Sequence, residues 1–176
     1  NDPFLIKYSR FLKNAVHGDL GTSYFFKRPA LEVILDKLVA TLELVFGAAV
    51  IIVVVSIPLG VYSAIRPRSI LTKIIMAVSS IGISIPVFLT AIMLMYLFSI
   101  QLGWLPAYGR GETYNLLGWE SGFFTWDGIL HLILPAVSLS SIMLPLFIRL
   151  VRSEMLEQLS SEYVKFARAK GLDNNK

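Results

Sequence analysis

Cysteine is absent from the 176-residue chain, which excludes a disulfide framework and a thiolate metal site and leaves the redox compartment unread. Charge is also scarce: Asp, Glu, Lys and Arg make up 16% of residues, against about a quarter in a soluble domain. No GxxxxGK run followed by Ser or Thr occurs, so this chain has no phosphate-cradling loop for hydrolysing ATP. The two histidines, His17 and His131, have no ligand-spaced companions, which argues against a metal site. His131 is most simply an interfacial residue. The opening NDPFLIKYSRFLKN lacks the continuous apolar core of a signal peptide. It begins with Asn1 and not Met, which points to a missing upstream piece.

The missing charges leave three gaps. No Lys, Arg, Asp or Glu occurs from Leu44 to Ile65, from Ile74 to Gly109, or from Gly128 to Ile148. Each window exceeds the roughly 20 residues that a helix needs to cross a bilayer. With 55% hydrophobic residues and a mean hydropathy of +0.67, the chain reads as an all-α integral membrane bundle. The expected spans are 41–64, 74–100 and 129–151. Residues 1–40 form an extracytoplasmic amphipathic segment and loop, in which Gly18, Gly21 and Pro29 break the helical pattern. Residues 31–38 read as a short helix leading into the membrane, and 153–176 as a cytoplasmic segment.

Gly82 and Pro86 are expected to kink the second span, and Pro135 and Pro145 stand near the two ends of the third. Small residues four apart, Ser56 with Gly60, Ser80 with Ser84 and Ala136 with Ser140, mark faces where helices approach closely. Between the second and third spans lie all three tryptophans, Trp104, Trp119 and Trp126, which suit a membrane surface. Seven cations (Arg66, Arg68, Lys73, Arg149, Arg152, Lys165, Arg168) flank one side of the membrane and four (Lys27, Arg28, Lys37, Arg110) the other. The richer side is cytoplasmic. The net charge of +4 therefore reports orientation and not nucleic-acid binding.

Glu43 is the one carboxylate close to an apolar window. At the first turn of a span starting near Thr41 it would reach headgroups or the positive helix terminus, with a substrate path as the alternative. Ser80, Ser84 and Met143 are packing groups first and candidate pathway lining second. Near the end of the chain, SSEYVKFARAKGL carries a helix N-cap in Ser161, an acidic first turn in Glu162, cations in Lys165, Arg168 and Lys170, and Gly171 at C′. Tyr163, Phe166 and Ala167 share one stripe of that helix. So short a helix needs a surface to dock on, either a protein groove or membrane lipid.

YVKFARAKGL, preceded by LVRSEMLEQLSSE, resembles the cytoplasmic coupling segment of bacterial ABC-importer permeases of the dipeptide, oligopeptide and nickel family. HGDLGTSYFFKRPALEVILDKLVATLELV, IPLGVYSAIRP, ISIPVFLTAIMLMYLFSIQLGWLPAYG and HLILPAVSLSS resemble that family in the same order. The broader family signature, Glu-Ala-Ala, three residues and Gly, places Lys165 at the Glu position, Phe166 and Ala167 at the two Ala positions and Gly171 at the Gly. Two of those positions depart from the pattern.

The resemblance implies helices two, three and four of a six-helix permease in the bacterial inner membrane. It implies a homologous permease partner, two cytoplasmic ATPase subunits that hold ATP and Mg, and an extracytoplasmic substrate-binding protein. ATPase coupling would fall to Glu162, Tyr163, Lys165, Phe166, Ala167, Arg168 and Gly171, and the cargo would be a peptide or a nickel-type complex. This chain would hold no cofactor and carry no ATPase site of its own. Two rivals use the same spans, a proton-driven secondary transporter and a membrane anchor that recruits a cytoplasmic partner. The first would want ionisable residues in mid-helix, which the three windows lack.

Overall fold

The computed structural model describes residues 3–116, 119–162, 166 and 170. Pro3 precedes α1 (Phe4–Val16), an amphipathic helix with no buried residue. Gly18 and Gly21 turn the chain at φ 84° and 78°, a region open to glycine. Pro29, whose ring pre-sets the backbone for a helix start, opens α2 (Ala30–Ile65). Nothing between Pro29 and Pro58 breaks a helix, so the short lead-in helix expected at 31–38 and the span expected from 41 are one continuous element. Its 36 residues extend about 54 Å.

After the turn at Arg66 and Pro67, Ser69 caps α3 (Ile70–Ser84) by accepting the Leu71 N–H at 3.2 Å. Pro86 pushes Ile85 into extended backbone (φ −90°, ψ 123°), which ends α3. The chain resumes as α4 (Val87–Leu94) and a π-helical stretch (Met95–Gln101) after a bend of 108°. The single span expected at 74–100 is therefore a sharply broken pair. The loop that follows holds a two-stranded antiparallel hairpin, β1 (Tyr114–Leu116) and β2 (Trp119–Ser121). Thr125 then caps α5 (Trp126–Ser160) by accepting the Gly128 N–H at 3.0 Å. At 35 residues α5 runs past both ends of the 129–151 window and absorbs Pro135 and Pro145.

α2 and α5 lie side by side and parallel. Gly47 meets Leu132 and Ala136, and Gly60 meets Ile148 and Val151, so contacts advance together along both helices. α3 runs the opposite way along α5: Met76 faces Arg152, Ser80 faces Arg149 and Gly82 faces Pro145. The buried positions are mostly small: Ala48, Ser56, Gly60, Ser63 and Ala64 on α2, and Ala136, Ser138 and Ser140 on α5. Val53, Val54, Phe88, Ile142 and many other large apolar side chains point outward. This inverted pattern suits lipid, where helices gain by backbone approach and not by hiding apolar surface.

The expected close-approach pairs Ser56–Gly60 and Ala136–Ser140 are buried, but Ser80 and Ser84 are exposed. Thr72, Ile75 and Ser79 supply the inward face of α3 instead. α2 and α5 are each long and apolar enough to cross a membrane, and the bent α3–α4 pair passes the same test together. The fold is an all-α membrane bundle carrying one small hairpin.

Candidate functional site

Among the described residues two polar assemblies interrupt the apolar bundle, one near each end. The outer one is built around Glu43, which lies on the fourteenth residue of α2 and is 7% exposed. Its early start moves α2's positive terminus well away, so Glu43 is not the first-turn residue expected. The carboxylate instead holds the loop. Gly122 N–H donates to Oε1 at 2.8 Å and the Arg110 guanidinium to Oε2 at 3.2 Å. Arg110 also donates to the Glu120 carbonyl, so one cation ties α2 to the hairpin. Phe46 and Phe123 add an edge-on ring contact at 5.8 Å beside the ion pair.

The start of α5 completes this knot. Asp127 Oδ2 accepts the Glu112 N–H at 2.8 Å, and His131 Nδ1 lies 2.8 Å from the Asp127 carbonyl oxygen. Thr125 Oγ1 donates to the carbonyl of Glu112. Gly111, at φ 69°, passes so close that a Cβ there would sit 2.6 Å from both Asp127 Oδ2 and His131 Nδ1. A pocket of about 290 Å³ opens here between Lys37, Glu43, Gly109, Arg110, His131 and Pro135. A larger groove of about 530 Å³ adjoins it, lined by Asp36, Lys37, Arg110, Asn115 and Glu120.

Replacing Glu43 with alanine is expected to free the hairpin. It leaves the largely covered Arg110 and the Gly122 N–H without their acceptor, a loss of about 1–3 kcal/mol for each unmet buried group. Faster amide exchange across 110–122, with unchanged exchange at the α2–α5 seam, is the expected result.

The inner assembly lies where α3 meets α5. Arg149 donates to Ser80 Oγ at 2.8 Å, and Ser80 Oγ donates in turn to the Met76 carbonyl at 2.9 Å. Ser84 Oγ donates to the Ser80 carbonyl at 3.4 Å. Arg152 donates to the Ser63 carbonyl at 3.4 Å and lies 3.9 Å from Met76 Sδ. Glu43 is level with the first turns of α5 and Ser80 with Arg149, about 27 Å further along the helix axis. The four candidate lining residues thus do not form one site. Met143 is exposed on α5.

Tyr163, Lys165, Ala167, Arg168 and Gly171 lie outside the described residues. Glu162 and Phe166 are exposed, and the Lys170 ammonium sits 4.5 Å from the Phe166 ring centroid. No local sequence pattern links Arg110 to Glu43, since 67 positions separate them. In the sequence Arg149 stands out only as one of seven cations on the cytoplasmic side. The glycines that flank Arg110, Gly109 and Gly111, are the local sign of a tight loop in the sequence, and both adopt positive φ.

Apolar helices joined along small residues, with cations gathered toward one end, define an integral membrane bundle. The chain belongs to the binding-protein-dependent transport system inner membrane component family, whose model matches residues 56–176. It is a multi-pass protein of the bacterial inner membrane. It is 40% identical to the oligopeptide transport system permease protein AppB of Bacillus subtilis, covering 100% of this chain and 54% of the relative. It is 34% identical to the dipeptide transport system permease protein DppB of Alkalihalophilus pseudofirmus, covering 97% and 55%. A third relative, the probable D,D-dipeptide transport system permease protein DdpB of Escherichia coli, is 36% identical over 98% and 54%. The chain spans about half the length of the curated relatives it matches.

Proposed function

We propose that this chain is part of a permease subunit of an ATP-driven ABC importer that carries di- or oligopeptides. The observation that carries the reading is its identity of 34–40% with dipeptide and oligopeptide permeases across nearly its whole length. The peptide cargo is favoured over a nickel-type complex by those relatives' names.

The geometry supports a mechanical role. α5 runs unbroken for about 52 Å from the Thr125 knot in the outer loop to Ser160, immediately before the 161–171 segment. A helix held by the loop at its Thr125 end and packed against α2 and α3 as far as Val151 and Arg152 transmits force as a strut. In this reading residues 161–171 seat on an ATPase subunit, which holds ATP and Mg, and this chain catalyses nothing itself. A homologous permease completes the pathway, and an extracytoplasmic binding protein delivers the peptide.

Purification in mild detergent tests the assembly. Two ATPase subunits and a second permease are expected to elute with the protein at fixed ratio. Elution alone, with every partner expressed in the same membranes, would defeat the reading.

A further inference from the structure

Arg149 is an exposed cation in a place that ordinary orientation signals do not explain. Its hydrogen-bond partner Ser80 is the eleventh residue of α3, about 15 Å along the axis from Ile70 and about 10 Å beyond Lys73. The guanidinium therefore lies deeper than the Arg66, Arg68 and Lys73 cluster, which marks the headgroup level. Its known bond goes to a neutral hydroxyl, and no carboxylate pairs with it among the described residues. Ile142 and Leu146 flank it on α5, and both are exposed. A guanidinium facing hydrocarbon there would be strongly disfavoured, so this face meets water or a polar partner.

The neighbouring groups fit a water-filled path. Ser84 and Ser80 are both exposed, and with Arg149 they make a polar line one helical turn apart on an otherwise apolar surface. Arginine's planar fork keeps donors to spare beyond the one bonded to Ser80, in the geometry that meets a carboxylate with two parallel bonds. Lipid phosphate fits less well, because it resides at the shallower level of Lys73.

Resting on the peptide-importer reading above, we propose that the Ser84, Ser80 and Arg149 face lines the translocation path and that Arg149 receives the C-terminal carboxylate of the passing peptide. The contact is a station and not a trap: the carboxylate exchanges with Ser80 for one guanidinium edge and leaves without any bond being made or broken covalently.

These 176 residues contain no cysteine, and Ser84→Cys places a reporter thiol one turn from Ser80. The assembled transporter, with every other cysteine of the permease and its partners replaced, is placed in inside-out vesicles and treated with a membrane-impermeant maleimide. Labelling is expected, and a tripeptide with a free C-terminus should slow it at least about fivefold while the amidated tripeptide does not. Adding Arg149→Gln should abolish that protection, and Arg149→Lys should keep most of it. Reaction with lipophilic maleimide alone would place the face in lipid and overturn the proposal. Equal protection by both peptides, or protection that survives Arg149→Gln, would also overturn it. Uptake of labelled tripeptide by right-side-out vesicles of the same transporter separates the two readings. No uptake defeats the importer assignment, whereas uptake without carboxylate-dependent protection defeats only the role of Arg149.

Discussion

Replacing Gly60 with leucine is expected to push α2 and α5 apart and to lower the melting midpoint of the detergent-solubilised protein by about 6–12 °C. A Cβ at this position would stand 2.7 Å from both Cβ and Cγ1 of Val151 and 3.0 Å from the Ile148 carbonyl oxygen. Rotation of Val151 moves Cγ1 but not Cβ, and the carbonyl belongs to the α5 backbone. Only separation of the helices relieves the contact. Overpacking costs about 1–3 kcal/mol, and the upper end applies where backbone must shift; at about 2–4 °C for each kcal/mol this gives the expected range. Ser56, Ser63 and Ala64, buried on the same side of α2, would lose their close neighbours at the same time. Val53→Leu, on the outward face, is expected to leave the midpoint unchanged. Partial recovery in a Gly60→Ala, Val151→Gly pair would localise the effect to this crossing.

Ala167→Trp or Gly171→Trp is expected to abolish uptake and to weaken association with the ATPase at least about 30-fold, as losing a single hot spot of about 2 kcal/mol does. Both residues fall in the segment that resembles the coupling helix, where small side chains let a helix settle into a groove. Membrane insertion should be unaffected, because the substitutions lie beyond the end of α5 at Ser160. Binding measured between detergent-purified permease and ATPase reads the effect directly. Wild-type association in either variant would remove the proposed contact.

Much of the bundle was legible in advance because uncharged windows of more than 20 residues have few other solutions. The element ends were not. α2 begins eleven residues before the expected span because Leu31 to Lys37 contains charges but no breaker, and charge alone does not stop a helix. Pro86 was visible as a kink, but the 108° turn depends on how α4 packs against α5. The hairpin escaped notice because three-residue strands are too short to display alternation. Glu43 stood out as a carboxylate near an apolar window, yet its partners Arg110 and Gly122 arrive from a loop 67 and 79 positions away. Arg149 was concealed by its setting among cations at the cytoplasmic end.

The most direct measurement of the central claim is labelled-peptide uptake by vesicles that contain the assembled transporter, its binding protein and either ATP or an imposed proton gradient. Coupling through the 161–171 segment predicts uptake that requires hydrolysable ATP and persists when a protonophore collapses the gradient. Accumulation driven by the proton gradient without ATP would contradict it.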